Sequence, residues 1–318
     1  MNEKILVFGN GQLGNFYSMY FLELGYETKI ASIDITLKEE IEDIIKEFKP
    51  SVVINTAAKT NLEWCVNNKL KAFNVNVLGA DNIAQICDEN EIYLVYLSSG
   101  CILKSIDEND AKTEYDIPEP ESYYSLTKAW AENILVYKRS KNFKYLILRP
   151  RQPISSEINS KNMLVKMLTF TKFIDVPNNG TIIEDLMNWT EKLIQKRIVG
   201  IIHAVNTGWT TPYHMGLMLK KYVLPNLPVN KITKDELNKM NPEKRADAIL
   251  DNSKLVSILG EVGSYSDRME ETIKNLADNF KTGDKEYIRV QMEKTVTASK
   301  TRTIANECWK NLLNSSTL

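Results

Sequence analysis

A doubly wound α/β fold, a parallel sheet of the Rossmann type with a smaller C-terminal lobe, is predicted by three observations. Short β-branched runs alternate with amphipathic helical segments through the first half of the chain. A glycine-rich turn, Gly9-Asn-Gly11-Gln-Leu-Gly14, separates the first such run from the first helical segment. Beyond Arg151 the elements shorten and are punctuated by Pro153, Pro177, Asn178, Pro225 and Pro228, the mark of a second lobe.

The elements follow in order. Ile5-Leu-Val-Phe8 is a run that both faces of a sheet would bury, and Gln12 to Leu24 has helical spacing. Thr28 to Ile33, Ser51 to Asn55, Tyr93 to Ser98 and Tyr145 to Arg149 supply further strands. Helices are expected at Leu37 to Glu47, at Asn76 to Glu89 and around Tyr124. Residues 1–152 then form a dinucleotide-binding domain, and 153–279 a lobe over the carboxyl ends of the strands, where open sheets bind ligands, with sheet and helices free to interleave between the two. Residues 280–318 are an extension, helical or frayed, able to pack on a neighbouring subunit in a homodimer.

Composition excludes several classes of function. A formal charge of −1 over 318 residues offers no general attraction to nucleic acid or to an acidic membrane, so any anion site must be local. No apolar run is long enough to cross a bilayer, and Met-Asn-Glu-Lys leads straight into a strand. Cys65, Cys87, Cys101 and Cys308 have neither CxxC nor metal-ligand spacing, so no metal is expected and a reducing cytoplasm is the expected compartment.

Two motifs carry chemistry. In the glycine turn, Gly9, Gly11, Gln12 and Leu13 lie where backbone amides and a helix N-terminus would approach a pyrophosphate. Asp34, twenty residues past Gly14, is open to two readings: a ribose-binding acid or the cap of the next helix. NADH and NADPH therefore both stay open. Tyr124 and Lys128 have the YxxxK spacing, which in a helix puts both on one face, the lysine favouring the phenolate and able to reach a cofactor ribose. The order matters more than either motif: glycine turn, strand-borne Ser99, then Tyr124 and Lys128.

Those residues, with Asn55-Thr-Ala-Ala58, Asn61-Leu-Glu-Trp-Cys65, Asn74-Val-Asn76, Arg149-Pro-Arg-Gln-Pro-Ile-Ser155, Asn162-Met-Leu-Val-Lys166 and Ile174-Asp-Val-Pro-Asn178, carry a resemblance. The chain resembles the extended short-chain dehydrogenase/reductases of the dTDP-4-dehydrorhamnose reductase group. Within that group it is most similar to the bifunctional UDP-4-keto-6-deoxy-D-glucose 3,5-epimerase/4-reductases, the UDP-L-rhamnose synthases. Two departures stand out: the glycine turn is one residue shorter than the family's GxxGxxG, and Ser99 replaces a threonine while keeping its hydroxyl.

The resemblance implies roles. Ser99 and Tyr124 would hold a carbonyl oxygen at carbon 4 of a nucleotide-linked sugar, Tyr124 giving it a proton while Lys128 tunes the phenol and holds the nicotinamide ribose of NADPH or NADH. Cys101 and Lys166 would remove and return protons at carbons 3 and 5. Ala57, Ala58 and Asn76 are implied as further cofactor contacts, Arg245 as a contact to the pyrophosphate of a UDP- or dTDP-linked substrate and Asn162 as a pocket candidate, while Trp64 is open to two readings, core packing or a wall of the sugar pocket. Taken singly, Cys101 reads as a small buried hydrophobe, Lys166 as a solvated helix lysine and Arg245 as a surface charge. Two other readings remain beside an epimerase/reductase: a reductase alone, or a binding subunit that keeps the cofactor but has lost catalysis.

Overall fold

The computed structural model describes residues 3–240 and 247–298. Strands β1 (Lys4–Phe8), β2 (Glu27–Ala31), β3 (Val52–Asn55), β4 (Tyr93–Leu97) and β5 (Tyr145–Leu148) lie in the main sheet with β7 (Gly200–Ile202), while β6 (Lys172–Ile174) and β8 (Asn230–Ile232) form a separate pair. The helices in chain order are α1 (Gln12–Glu23), α2 (Lys38–Phe48), α3 (Leu62–Asn67), α4 (Lys69–Phe73), α5 (Ala80–Glu89), α6 (Tyr123–Tyr137) and α7 (Met163–Met167). They continue with α8 (Ile183–Gln195), α9 (Pro212–Tyr222), α10 (Lys234–Met240), α11 (Ser253–Leu259), α12 (Tyr265–Thr282) and α13 (Lys285–Ala298).

All pairings in the main sheet are parallel, in the order β2-β1-β3-β4-β5-β7. Side chains of each strand alternate between two cores, as the pleat demands. Ile5, Val7, Val52, Ile54, Val95 and Leu97 meet Tyr17 and Phe21 of α1 and Leu186 and Leu193 of α8. Leu6, Phe8, Val53, Leu94 and Tyr96 meet Ile41 and Ile45 of α2, Ile83 and Ile86 of α5, and Ala131 and Leu135 of α6. Burial on both faces is why these strands read as unbroken apolar runs. The strand order reverses between β1 and β3, which opens a crevice outside their carboxyl ends.

Beyond residue 152 the chain interleaves between the main sheet and a second core. Helix α8 and strand β7 return to the main sheet, with Leu146, Ile147 and Leu148 of β5 in register with Gly200, Ile201 and Ile202. A separate core gathers Ile154, Leu164, Phe173, Leu219, Met269 and Ile273 around the β6–β8 pair. Helix α13 belongs to that core too, with Ile288 and Met292 buried in it and Gln291 Oε1 accepting from the backbone of Ser160 just before α7. Among the described residues no helix is long and apolar enough to cross a membrane.

Candidate active site

The glycine turn caps the crevice. Gly9 has φ +97° and a Cβ there would lie 2.8 Å from the Ala57 backbone nitrogen; a Cβ at Gly14 would lie 1.8 Å from the Gly9 carbonyl oxygen. Only residues without side chains let the loops after β1 and β3 approach so closely. Thr56 adds a tie, its hydroxyl donating to the carbonyls of Phe8 and Gly9 at 2.9 and 3.2 Å. Gly11 differs: nothing lies within 4 Å of a Cβ built on it, so it faces open space. It is also the N-cap of α1, with no side-chain cap bond and no acidic residue in the first turn. Beside it, the buried Gln12 Nε2 has no hydrogen-bond partner. Open amides at the positive end of a helix, with an orphaned donor next to them, fit the pyrophosphate of a dinucleotide.

Other residues singled out in sequence have clear places. Asp34 does not cap α2, whose N-cap is Leu37; its carboxylate closes a turn on Thr36, accepting from that residue's backbone nitrogen at 2.9 Å and its hydroxyl at 2.8 Å. Ser32 stands nearer, its hydroxyl accepting from Asn10 Nδ2 at 3.0 Å. Asn76 is buried and its amide is occupied by the chain, accepting from Lys59 N at 2.7 Å and donating to Lys59 O and to Thr127 Oγ1, both at 3.0 Å. It therefore ties the loop after β3 to α6. Asn162 is likewise occupied, capping α7 and donating to the carbonyls of Ser155 and Glu157 at 2.7 and 2.8 Å. Trp64 is half-buried with Lys59 Nζ 5.6 Å from its ring centre. Arg245 lies outside the described residues.

Four of the catalytic candidates, Ser99, Cys101, Tyr124 and Lys128, meet at the carboxyl end of β4. Ser99 ends the extended segment there and Cys101 lies in the following turn, with Ser99 Oγ 2.9 Å from Cys101 Sγ. Helix α6 begins with a capping box in which Ser122 and Ser125 satisfy each other's amides, which fixes the entry of Tyr124 one turn before Lys128. Lys128 Nζ donates to the carbonyl of Leu97 at 2.6 Å and sits 4.2 Å from the centre of the Tyr96 ring. The helix and the end of β4 are thus pinned together at the residues that carry the chemistry.

Burial sets the protonation states. It pushes the Tyr124 phenol upward, with Cys101 acting in the same direction and hydrogen bonding to Ser99 opposing it. The tyrosine therefore stays a proton donor throughout the neutral range. Lys128 moves the other way, down to about 7, because burial disfavours the ammonium; Glu132 is the main opposing influence. Burial also pushes the Cys101 thiol up, against Ser99, Arg151 and Lys128, which pull it down. Tyr124 and Cys101 keep some contact with solvent.

A cleft in the second lobe adjoins this site, lined among others by Gln152, Met163, Met167, Asn178, Lys234 and Asp247. The link is Arg151, a buried residue whose guanidinium donates to Asn178 and whose charge acts on Cys101. Lys166 is half-buried on α7, the helix that gives Met163 and Met167 to the cleft. Sequence patterning does not single out Arg151 and Asn178, although both stand in stretches that carry the resemblance; their long-range pairing has no sequence periodicity.

The RmlD substrate binding domain family matches residues 3–278. This chain belongs to that family. Among its relatives is a bifunctional dTDP-4-dehydrorhamnose 3,5-epimerase/dTDP-4-dehydrorhamnose reductase of Arabidopsis thaliana, 29% identical over 243 residues, covering 73% of this chain and 79% of the relative. A trifunctional UDP-glucose 4,6-dehydratase/UDP-4-keto-6-deoxy-D-glucose 3,5-epimerase/UDP-4-keto-L-rhamnose-reductase of the same plant is 27% identical over 288 residues, 84% of this chain. The chain spans about two-fifths (41%) of that relative's length. The crystal structure of the L780 UDP-rhamnose synthase from Acanthamoeba polyphaga mimivirus shares the fold, with TM-score 0.80 and 22% identity, covering 86% of this chain and all of that one.

Proposed function

We propose that this protein reduces the 4-keto group of a nucleotide-linked 6-deoxyhexose, using NAD(P)H, and that it also inverts carbons 3 and 5 before reduction, giving a 6-deoxy-L-sugar such as UDP-L-rhamnose. One observation carries the reading: Ser99, Cys101, Tyr124 and Lys128 converge where β4 meets α6, beside an open glycine turn suited to a dinucleotide. Related reductases solved with NADP or NADPH support the cofactor, and the Arabidopsis relatives support the nucleotide sugar.

The chain's residues divide the work. The amides of the first turn of α1 would hold the pyrophosphate and Lys128 the nicotinamide ribose of a reduced cofactor, which would supply the hydride. Ser99 and Tyr124 donate hydrogen bonds to the sugar's carbonyl oxygen, and Tyr124 transfers its proton there as the oxygen gains charge. Lys128, as an ammonium, stabilises the phenolate left behind. Polarising that same carbonyl acidifies the hydrogens on carbons 3 and 5. Cys101 then moves a proton on one face and Lys166 on the other. The Arg151 charge and the Ser99 hydroxyl both favour the thiolate that such a step needs.

Incubation with UDP- or dTDP-4-keto-6-deoxy-D-glucose and each reduced cofactor tests the reading, with product stereochemistry read by NMR. A 6-deoxy-L-sugar is the expected product. Reduction without inversion would leave a reductase alone. No turnover with any combination, despite tight cofactor binding, would favour the binding-subunit reading.

A further inference from the structure

Four buried polar groups lie beneath Lys128 and take no direct part in this chemistry. Glu132, one helical turn beyond Lys128 on α6, is 4% exposed. Arg149, at the end of β5, is 2% exposed and grips that carboxylate with two nitrogens: Nη2 to Oε2 at 2.6 Å and Nε to both oxygens at 3.1 and 3.2 Å. Ser98 Oγ donates to Glu132 Oε1 from the residue before Ser99. His203, fully buried after β7, completes the set. Its Nδ1 donates to the Asp251 carbonyl at 3.0 Å, which leaves Nε2 to accept from Arg149 Nη1 at 3.2 Å. Burial, reinforced by Arg149, holds this imidazole neutral, near 3.

A buried ion pair is weak evidence for stability, because desolvation offsets much of its attraction. This one, however, is placed at the joint of the site. Ser98 and Ser99 are consecutive at the end of β4, and Glu132 and Lys128 are four apart on α6, so the carboxylate binds the strand end to the helix one turn below the lysine.

We propose that Glu132, clamped by Arg149 and Ser98, is a positioning residue that aligns Ser99 with Tyr124 and favours the charged form of Lys128. The charged and titratable groups around Lys128 are few. Tyr124 and Glu132 share its helix, the Tyr96 ring faces it from β4, and Cys101 approaches from the turn beyond, with Arg151 behind the thiol. Glu132 is the carboxylate in that set, and it opposes the desolvation that drives the ammonium to shed its proton. Without it the ammonium would be lost at a still lower pH, leaving less of the charged form to stabilise a phenolate or to donate as a cation to a ribose.

The inference rests on the proposed function for its catalytic meaning, but its first test does not need turnover. The Lys128 titration is followed by NMR in the ligand-free protein carrying ¹³C-labelled lysine, assigned by its loss in Lys128→Met. Glu132→Gln removes the charge. Glu132→Gln/Arg149→Met also removes the stranded guanidinium, so a folded protein remains available if the single variant unfolds. The expected result is a midpoint about 1–3 pH units below wild type in whichever variant folds, the usual effect of a close opposite charge. The high-pH fall of kcat should move down with it, while KM for the nucleotide sugar holds. An unmoved Lys128 midpoint in the double variant overturns the proposal, whether or not the wild type reduces a sugar.

Discussion

Ser99 Oγ and Cys101 Sγ are hydrogen-bonded at 2.9 Å, so the hydroxyl suited to grip a carbonyl oxygen also steadies the thiol two residues on. The contact couples two activities that are separable by substitution. Cys101→Ser and Lys166→Met should each block incorporation of solvent deuterium at carbon 3, carbon 5 or both of a 4-keto sugar without reduced cofactor. Both should spare hydride transfer to a 4-keto-L-sugar that is already inverted, because Ser99, Tyr124 and Lys128 remain. Equal loss of both activities would mean that the two residues only shape the pocket.

Tyr124→Phe should lower reduction by about 10²- to 10⁴-fold, the usual worth of a general acid, with cofactor affinity nearly unchanged. The ring stays and only the proton donor goes. Stopped-flow oxidation of reduced cofactor, alongside a fluorescence titration, reads both quantities. Turnover within a few-fold of wild type would remove Tyr124 from the mechanism.

Two glycines of the turn should behave oppositely. Gly14→Ala forces a Cβ to within 1.8 Å of the Gly9 carbonyl, so the turn must open and the thermal midpoint should fall. Gly11→Ala meets nothing within 4 Å in the protein, so the fold should hold. Its methyl group enters the space assigned to the pyrophosphate, and cofactor affinity should drop. Unchanged affinity in a folded Gly11→Ala protein would place the dinucleotide elsewhere.

Lys128 gives a pH signature. Its folded pKa, about 7, lies below its ordinary value of 10.5, so between these limits the unfolded chain binds more protons than the folded one. Stability of the ligand-free protein should therefore rise with pH across that interval. Below about 7 the buried ammonium carries its full desolvation cost. Lys128→Met should flatten the rise and raise the midpoint most at low pH, while weakening cofactor binding. Denaturant melts of both proteins across the interval measure this; parallel curves would refute it.

Ile288 and Met292 of α13 lie in the second-lobe core with Leu164 and Val165 of α7. Truncating either to Ala should cost about 2–5 kcal/mol, as for other buried aliphatic side chains. Chain deletion after Gly283 should accordingly lower stability before it affects chemistry. A deletion that leaves the denaturation midpoint unchanged would show the helix to be an appendage.

The sequence alone determined the elements whose signal is local. Val52–Asn55 and Tyr93–Leu97 read as strands because both their faces are apolar, and the glycine turn and YxxxK read as motifs because fixed short spacings set their geometry. Tertiary structure decided what depends on contacts between distant residues. Strand β7 is three residues long and exists by pairing with β5, some fifty positions earlier in the chain, so no periodicity announces it. Asn76 and Asn162, candidate ligand contacts in sequence, hold the chain's own backbone, because a buried amide must be satisfied by whatever packs against it. Glu132 stands four residues beyond Lys128 in plain view, yet its meaning came from Arg149 and Ser98. A charge acquires a role from the groups it faces once water has been excluded, and that arrangement exists only in the folded chain.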